Sequence, residues 1–562
     1  MSSRQGAFAV ESEMHERNKT NLNNPWNQAR KWKPWKKSRQ HYGPSSDMVF
    51  LNRIASFLSS VSKQQVFATS LVPELEEATY VDASSCITNF SGFSKRHEEG
   101  FLDLFSQNYH PLIPVLHLES FMEHFASLWP EQRLDRPRQD SPLVDIVLAV
   151  CIQYGRTFIQ EPGRVIDNQD SVFAGVWYYR RCQTALIDEW ENPSFTTVQC
   201  YVFIVIYLQN SAFTDMAYIA LGTGVRIAQT LGLHLEPSHQ LSRTKQELQK
   251  QIWWCLNNLD TKLSIELGRP STIQSPSTIV SLPEDDRDVA NHLGHQFSLD
   301  SDEITWLSFS TQKIKLLEAA REVNRFCYGE DGESHGLFEG YIFFKEEDMS
   351  IEHSANVVTK YMEPLQTWAK GLPQALRLQR RDLGVALSVD GTLVEVDSKA
   401  PFWLQLQSIS LELKYHHLIL TFARQYIRFN QAPPSSSPTP QADHLSISAL
   451  AHALTITDII HTTFTTSRIL NGWYDAFHIQ WQASLTIMGF VLAYPESART
   501  AAARKSISLS IEIFNIFAIS CRCPTAAKMA GTLENLHWKA GDLLIRSSNT
   551  NRGDSFSPSV RI

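Results

Sequence analysis

The sequence predicts an all-α fold: one large multi-helix body with a disordered N-terminal arm and a polar C-terminal tail. Three observations carry this. From Phe101 onward, apolar residues recur at i, i+3, i+4 and i+7 over long segments. Ser, Thr, Pro and Gly stand at the segment ends, where helix caps belong. No alternating strand pattern recurs, and no fixed-period repeat is visible.

Residues 1–45 are polar, rich in Asn and Lys, and punctuated by Pro25, Pro34 and Pro44, which reads as a disordered arm. Phe50, Ile54, Phe57, Leu58 and Val61 then form a short amphipathic helix, too short for a coiled coil. Residues 64–95 read as a linker, so 1–95 is taken as a basic arm and linker. Ser141-Pro142 opens an apolar helix through Tyr154, with Pro where a missing N–H costs nothing. A helix follows Ser171 and is stopped by Asn192-Pro193, and Ser194 starts the next. Ala217, Ala220, Leu221, Gly224, Ala228 and Leu231 line one face of another helix, and Gly232 sits where its C-cap belongs. Thr244 and Glu247 predict a capping box for the helix carrying Trp253 and Trp254. Further helices are predicted over 303–326, 350–370, 402–429, 446–470, 475–494 and 499–520. A Pro/Ser loop spans 432–443, and 548–562 reads as tail. The helical body divides into a core over 96–300 and a continuation over 301–547.

Composition bounds the function. Of 562 residues 43% are apolar, enough for a sizeable core. The net charge of −8 points to neither nucleic acid nor membrane for the chain as a whole, but its distribution is uneven. Between Arg17 and Ser46 lie Arg17, Lys19, Arg30, Lys31, Lys33, Lys36, Lys37 and Arg39, with no Asp or Glu. The two most apolar runs, 198–208 and 485–494, are each about ten residues, whereas a spanning helix needs roughly 20. Both therefore read as buried helices. The N-terminus lacks an apolar signal core and carries Glu11, Glu13 and Glu16. The eight cysteines are scattered, as expected of reduced thiols in a soluble intracellular protein. Only Cys521 and Cys523 are close, and structural zinc needs paired ligands.

Within the arm, Arg30, Lys31, Lys33, Lys36, Lys37 and Arg39 interleave with Trp32 and Trp35. Such a cluster serves as a nuclear-import signal, contacts phosphates, or is a solvated tail. The remaining candidates are weaker. Gly222-Thr-Gly224 lies inside a helical pattern and reads as close helix packing rather than a dinucleotide turn. The acidic run 285–288 is one residue short of the D-D-x-x-D spacing of magnesium-dependent prenyl chemistry and reads as a solvated loop. His117 and His124 are spaced to share a helix face, without an H-E-x-x-H motif. His416 and His417 read as partly buried, hydrogen-bonded histidines. No nucleophile elbow or phosphate loop is present. No catalytic or metal residue is assigned.

Three blocks, 101–121, 217–234 and 250–270, resemble the fungal-specific transcription factor domain, the helical middle homology region of fungal zinc-cluster transcription factors. The matching positions are Tyr109, His110, Pro111, Pro114, His117 and Phe121; then Ala220, Arg226, Ala228, Leu231, Gly232, Leu233 and His234. In the third block they are Trp253, Trp254, Asp260, Ser264, Gly268, Arg269 and Pro270, with Leu282-Pro283 following. The resemblance is strong over 101–290 and weaker through 402–429. It implies structural roles for Gly232, His234, Trp253, Trp254, Asp260, Gly268, Arg269 and Pro270. The tryptophans fill a core, Gly268-Arg269-Pro270 ends a helix, and Arg269 bridges carbonyls or Asp260. The sequence departs from the family at Lys250-Gln251-Ile252, where two arginines usually precede the Trp pair, and at Leu259, usually aromatic. Its first cysteine is Cys86, and no C-x2-C-x6-C array exists. Either upstream coding sequence is missing, or the regulator acts through partners.

The resemblance implies a nuclear regulator of RNA polymerase II genes, of a metabolic or secondary-metabolite set, whose own DNA reader is absent from this chain. The expected partners are the transcription machinery or a DNA-binding protein, a small-molecule effector and a second copy of the chain, with no membrane. DNA is expected to bind weakly and non-specifically through the arm. No cofactor is expected in this chain, zinc entering only with an additional N-terminal cluster. The competing readings are an all-α metal-dependent enzyme of terpene-synthase type and a helical scaffold without a transcriptional role.

Overall fold

The computed structural model describes residues 40–62, 66, 92–129, 138–155, 158, 174–273, 280–294, 297, 304–328, 348–397, 399–429 and 439–553, with 62, 327–328, 348–350, 383 and 542–553 described by backbone only. The helices are α1 (Asp47–Ser62), α2 (Lys95–Leu104), α3 (Leu118–Ser127), α4 (Pro142–Gly155), α5 (Val176–Asp188), α6 (Phe195–Asn210) and α7 (Thr214–Thr230). They continue as α8 (Arg243–Leu267), α9 (Arg287–Gly294), α10 (Ser308–Tyr328), α11 (Asp348–Tyr361) and α12 (Glu363–Gly371). The last five are α13 (Phe402–Ala423), α14 (Pro440–Thr466), α15 (Tyr474–Ala493), α16 (Thr500–Ser520) and α17 (Pro524–Gly553). Between α12 and α13, β1 (Gln379–Arg380) pairs antiparallel with β2 (Val394–Glu395).

A helix apolar on every face must be surrounded by other helices. The two ten-residue apolar runs obey this rule. They lie in α6, buried from Thr197 to Asn210, and in α15, buried from Ile479 to Leu492. α4 is buried from Leu143 to Gly155, and α13 nearly throughout. In the first half α6 packs on α4 and α7; in the second, α13, α14, α15 and α16 pack in sequence order. α8 joins the halves by contacting α6, α7 and α10. Among the described residues no helix is long and apolar enough to cross a membrane.

The local signals mostly act where the residues put them. Ser194 and Thr197 form a reciprocal capping box on α6. Gly232, at φ +77°, ends α7 in a Schellman turn: its N–H donates to the Gln229 carbonyl, and that of Leu233 to Ala228.

Several expectations need correcting. Thr244 and Glu247 form no capping box, because α8 already begins at Arg243. The Glu247 carboxylate instead accepts from Lys250 Nζ at 2.9 Å and from the Glu284 N–H at 2.7 Å. The helix expected after Ser171 begins at Val176, behind Gly175 in left-handed backbone. The 350–370 helix breaks at Met362, since Pro364 in the first turn of α12 cannot donate to a preceding carbonyl. Pro440 opens α14 inside the expected loop, using the same tolerance of a helix start for proline. The acidic run is not wholly a loop: the Asp286 carboxylate accepts from the Val289 N–H at 3.0 Å and caps α9. α17 was not predicted, and it continues to Gly553, past the start of the expected tail.

The end of the presumed disordered arm is also ordered. Gly43 N–H donates to the Leu267 carbonyl at 3.0 Å and Ser45 Oγ to the Ile265 carbonyl at 2.7 Å, and Ser45 and Ser46 are buried. Their partners are carbonyls in the last turn of α8, which lack helical donors and so accept from another segment.

Candidate functional site

Four of the signature residues, Asp260, Gly268, Arg269 and Pro270, meet around the C-terminal end of α8. Gly268 takes the left-handed conformation at φ +63°, and the Arg269 N–H returns to the Ser264 carbonyl at 3.0 Å. This turn aims the Arg269 side chain at 41–46 rather than at Asp260. Its Nη2 donates to Asp215 Oδ1 at 2.6 Å and its Nε to the His41 carbonyl at 3.0 Å. The guanidinium also lies over the rings of Tyr42 (5.3 Å) and Tyr218 (5.4 Å). Tyr42 in turn donates to the other oxygen of Asp215 at 3.1 Å. Burial and the Asp215 carboxylate both raise the Tyr42 pKa, keeping that phenol a donor.

Asp260 has another task. Wholly buried on α8, it accepts from the N–H groups of Thr272 and Ile273 at 3.0 and 2.9 Å and from Ser271 Oγ. It thereby fixes the chain leaving Pro270, whose carbonyl accepts from Tyr218 at 2.7 Å. Trp253 is 1% exposed and stacks at a tilt on His234, while Trp254, 7% exposed, donates to the Ser281 carbonyl at 3.0 Å. The arm cations Arg30, Lys31, Lys33, Lys36, Lys37 and Arg39 lie outside the described residues, next to the anchored segment in sequence.

A second feature lies on the same helix. Two turns before Gly268, α8 borders a partly open cavity of about 100 Å³ that is also lined by α6, α10, α13 and α15, room for several waters or one small molecule. Its charged groups come from four helices: Lys262 and Glu266 on α8, Lys313 on α10, Lys414 on α13 and Asp475 on α15. Asp475 accepts from Lys262 at 2.7 Å and also from Lys414. Burial alone would raise its pKa, but the two ammonium groups hold it well below the carboxylate range. Glu266 lies 3.7 Å from Lys262, yet burial pushes its pKa up to about 7, with Asp475 adding to the shift. Burial, with Lys414 and Lys262, pulls Lys313 down to about 8. His417 and His478 also face the cavity, and burial lowers each to about 4. They are neutral, bonded to Gln482 Oε1 at 2.6 Å and to the Gln209 carbonyl at 3.0 Å.

His117, His124 and His416 serve capping and packing instead. His117 caps α3 by accepting from the Ser120 N–H at 3.3 Å, while His124 meets Ser141 Oγ at 3.0 Å, so the two do not form a site. His416 pairs with His452 through their Nδ1 atoms at 2.7 Å in the core. Among the described residues no three His, Cys, Asp or Glu side chains come together as a metal-binding group. Asp286 pairs with Arg243, which also holds Glu284. The described cysteines are free thiols; burial raises Cys255 to about 11 and Cys521 to about 12, so neither is a ready nucleophile. The cavity charges escaped sequence reasoning because only Lys262 and Glu266, one helical turn apart, carry any local signal.

Comparison with known proteins agrees with this architecture. The sequence model described as "Fungal specific transcription factor domain" matches residues 102–369. The chain is 31% identical to the terreic acid cluster-specific transcription factor atF of Aspergillus terreus, over 85% of this chain and 74% of that protein. It is 33% identical to transcription factor asqA of Emericella nidulans, over 76% of each. A more distant relative is the oosporein cluster regulator OpS3 of Beauveria bassiana, 25% identical over 70% of this chain and 54% of that protein. Fold and matches together define a helical transcriptional regulator. The chain belongs to the fungal-specific transcription factor domain family. That family and these relatives are transcription factors, which are not enzymes, and the terpene-synthase and scaffold readings are not favoured.

Proposed function

We propose that this chain is a nuclear, non-enzymatic regulator that controls a set of secondary-metabolite genes transcribed by RNA polymerase II. The observation that supports it most is extended similarity to atF, whose name ties it to one biosynthetic gene cluster. In this reading the helical body receives a signal, from a small molecule, a partner protein or a second copy, and passes it to the transcription machinery. The α8 end is well suited to that task. It borders the cavity through Ile265 and Glu266 and holds 41–46 through the Ile265 and Leu267 carbonyls. A ligand that binds one state of this helix end more tightly shifts the population of the anchored arm.

The arm serves for nuclear import and for weak phosphate contact, with sequence-selective DNA reading left to a partner protein. The test is deletion and overexpression of the gene in its host, with transcripts measured genome-wide. Coordinated change of one contiguous set of biosynthetic genes is expected. Unchanged transcripts in both strains, or turnover of a prenyl diphosphate by the purified chain with magnesium, would overturn the proposal.

A further inference from the structure

Charge in the α8 cavity does not balance among its own side chains. Three ammonium groups face it, from Lys262, Lys313 and Lys414, and two carboxylates, from Asp475 and Glu266. Asp475 binds both Lys262 and Lys414, and Glu266 stands nearest Lys262. Lys313 is left over. It makes no hydrogen bond or ion pair among the described residues, and its ammonium lies 5.8 Å from the Phe309 ring centroid. An ammonium half-buried in a cavity wall without a counter-charge is costly.

We infer that the cavity is a binding site for a small monocarboxylate with an apolar body, whose carboxylate pairs with Lys313. One unmatched cation calls for one negative charge; a dianion such as phosphate would leave its second charge unpaired in the same low-dielectric space. The facing walls fit an apolar body: Leu112, Ile206, Phe309, Leu317 and Leu418 surround the space. Asn258 and Ser410 supply neutral polar groups at its edge. The titration behaviour agrees, since Lys313 is the lysine here whose charge is disfavoured, whereas Lys262 is driven the other way by Asp475 and Glu266 despite its burial. The inference deepens the effector role proposed above and rests on it for its biological meaning, but binding itself is measured on the purified protein without any transcriptional readout.

The experiment titrates the full chain with sodium benzoate and with benzamide, its uncharged near-isostere, by calorimetry and thermal unfolding at constant ionic strength. Saturable benzoate binding is expected, at least ten-fold tighter than that of benzamide. Lys313→Met should weaken benzoate at least ten-fold and raise the melting midpoint of the ligand-free protein, because it removes an unpaired charge. Lys313→Arg should keep the preference for benzoate. If the Met variant does not fold, Lys313→Gln replaces it, with the same loss of binding expected. Absence of saturable benzoate binding, equal binding of acid and amide, or undiminished binding to the Met or Gln variant would each overturn the inference. A positive result with unchanged transcripts in the gene-deletion strain would leave the site standing and remove the proposed gene set.

Discussion

Gly43 and Gly268 meet backbone to backbone. The Gly43 N–H donates to the Leu267 carbonyl at 3.0 Å, and a Cβ on Gly268 would stand 2.5 Å from the Gly43 Cα. Gly268 also sits at φ +63°, where a side chain is strained. Gly268→Ala is therefore expected to cost about 2 kcal/mol or more, combining strain with loss of the contact. Limited proteolysis should show faster chymotryptic cleavage at Tyr42, and an unchanged cleavage rate would contradict the anchor.

Arg269 holds the same segment with a fork, and lysine cannot reproduce it. Arg269→Lys keeps the charge but loses either the Asp215 or the His41 contact, for an expected loss of about 1–2 kcal/mol. Tyr42→Phe should cost less in the Arg269→Lys background than in the wild type, as a double-mutant cycle by urea unfolding can measure. Strict additivity would mean that Tyr42, Arg269 and Asp215 do not act together.

A second ion network is deeply buried and has little to do with the arm. Asp145, fully buried on α4, pairs with Arg138 and, at 2.6 Å, with Arg181, while Glu98 holds Arg138 from the other side at 2.7 Å. Removing Asp145 leaves the two guanidiniums with only Glu98, on Arg138, and the exposed Asp140, 3.4 Å from Arg181, so positive charge in the network exceeds what is left to balance it. Asp145→Ala is expected to lower stability by about 3–5 kcal/mol, read from the urea midpoint. The pair Glu98→Met with Arg138→Leu, which removes opposite charges together, should cost less than Asp145→Ala.

Acid should destabilise the fold in the pH range where its buried histidines would titrate if exposed. Burial lowers His110 and His416 to about 3, and His417 and His478 to about 4, with His452 also lowered. Each is neutral when folded and takes a proton on unfolding, so stability falls as pH drops below about 6.5. Glu266 and Glu412, raised to about 7 by burial, oppose this by binding protons in the folded state between about 4.5 and 7. The five deeply lowered histidines outnumber these two carboxylates, so unfolding takes up protons near pH 5.5 and stability falls with acid; the upward shifts of Asp47, Glu98, Glu318 and Asp458 work against this and make the slope shallower. Denaturant midpoints from pH 7 to 5 should fall steadily; a flat profile would contradict the assignment.

Arg30, Lys31, Lys33, Lys36, Lys37 and Arg39 make a separate prediction. Deleting 30–39 should move a fluorescent fusion from nucleus to cytoplasm. Duplex DNA should bind the intact chain without sequence preference, with a log–log salt slope no steeper than about −5 for six cations. Tight, site-selective binding at physiological salt would show a DNA reader in the chain itself.

How far the sequence was legible follows from distance along the chain. The caps at Ser194 and Gly232 depend on atoms three to five residues apart, and both were readable. The apolar runs of α6 and α15 announced their burial because no face was left for water. The break at Met362 and the opening at Pro440 are not legible from periodicity alone, since a proline marks a kink, a stop or a new start and the apolar pattern on either side does not say which. Local composition predicts disorder through residue 45, because nothing local to Tyr42–Ser46 reveals the α8 carbonyls that accept from it.

By itself, then, the sequence determined an all-helical regulator of a recognisable family and the positions of most helices, because helical period and capping act within a turn or two. Only the tertiary structure decided that Arg269 serves Asp215 and the arm rather than Asp260, and that Lys262 meets an aspartate 213 residues away. Both outcomes depend on how whole helices cross and in which rotation they pack. The cavity with its unmatched Lys313 arises at that level alone, since no stretch of chain contains more than two of its charges.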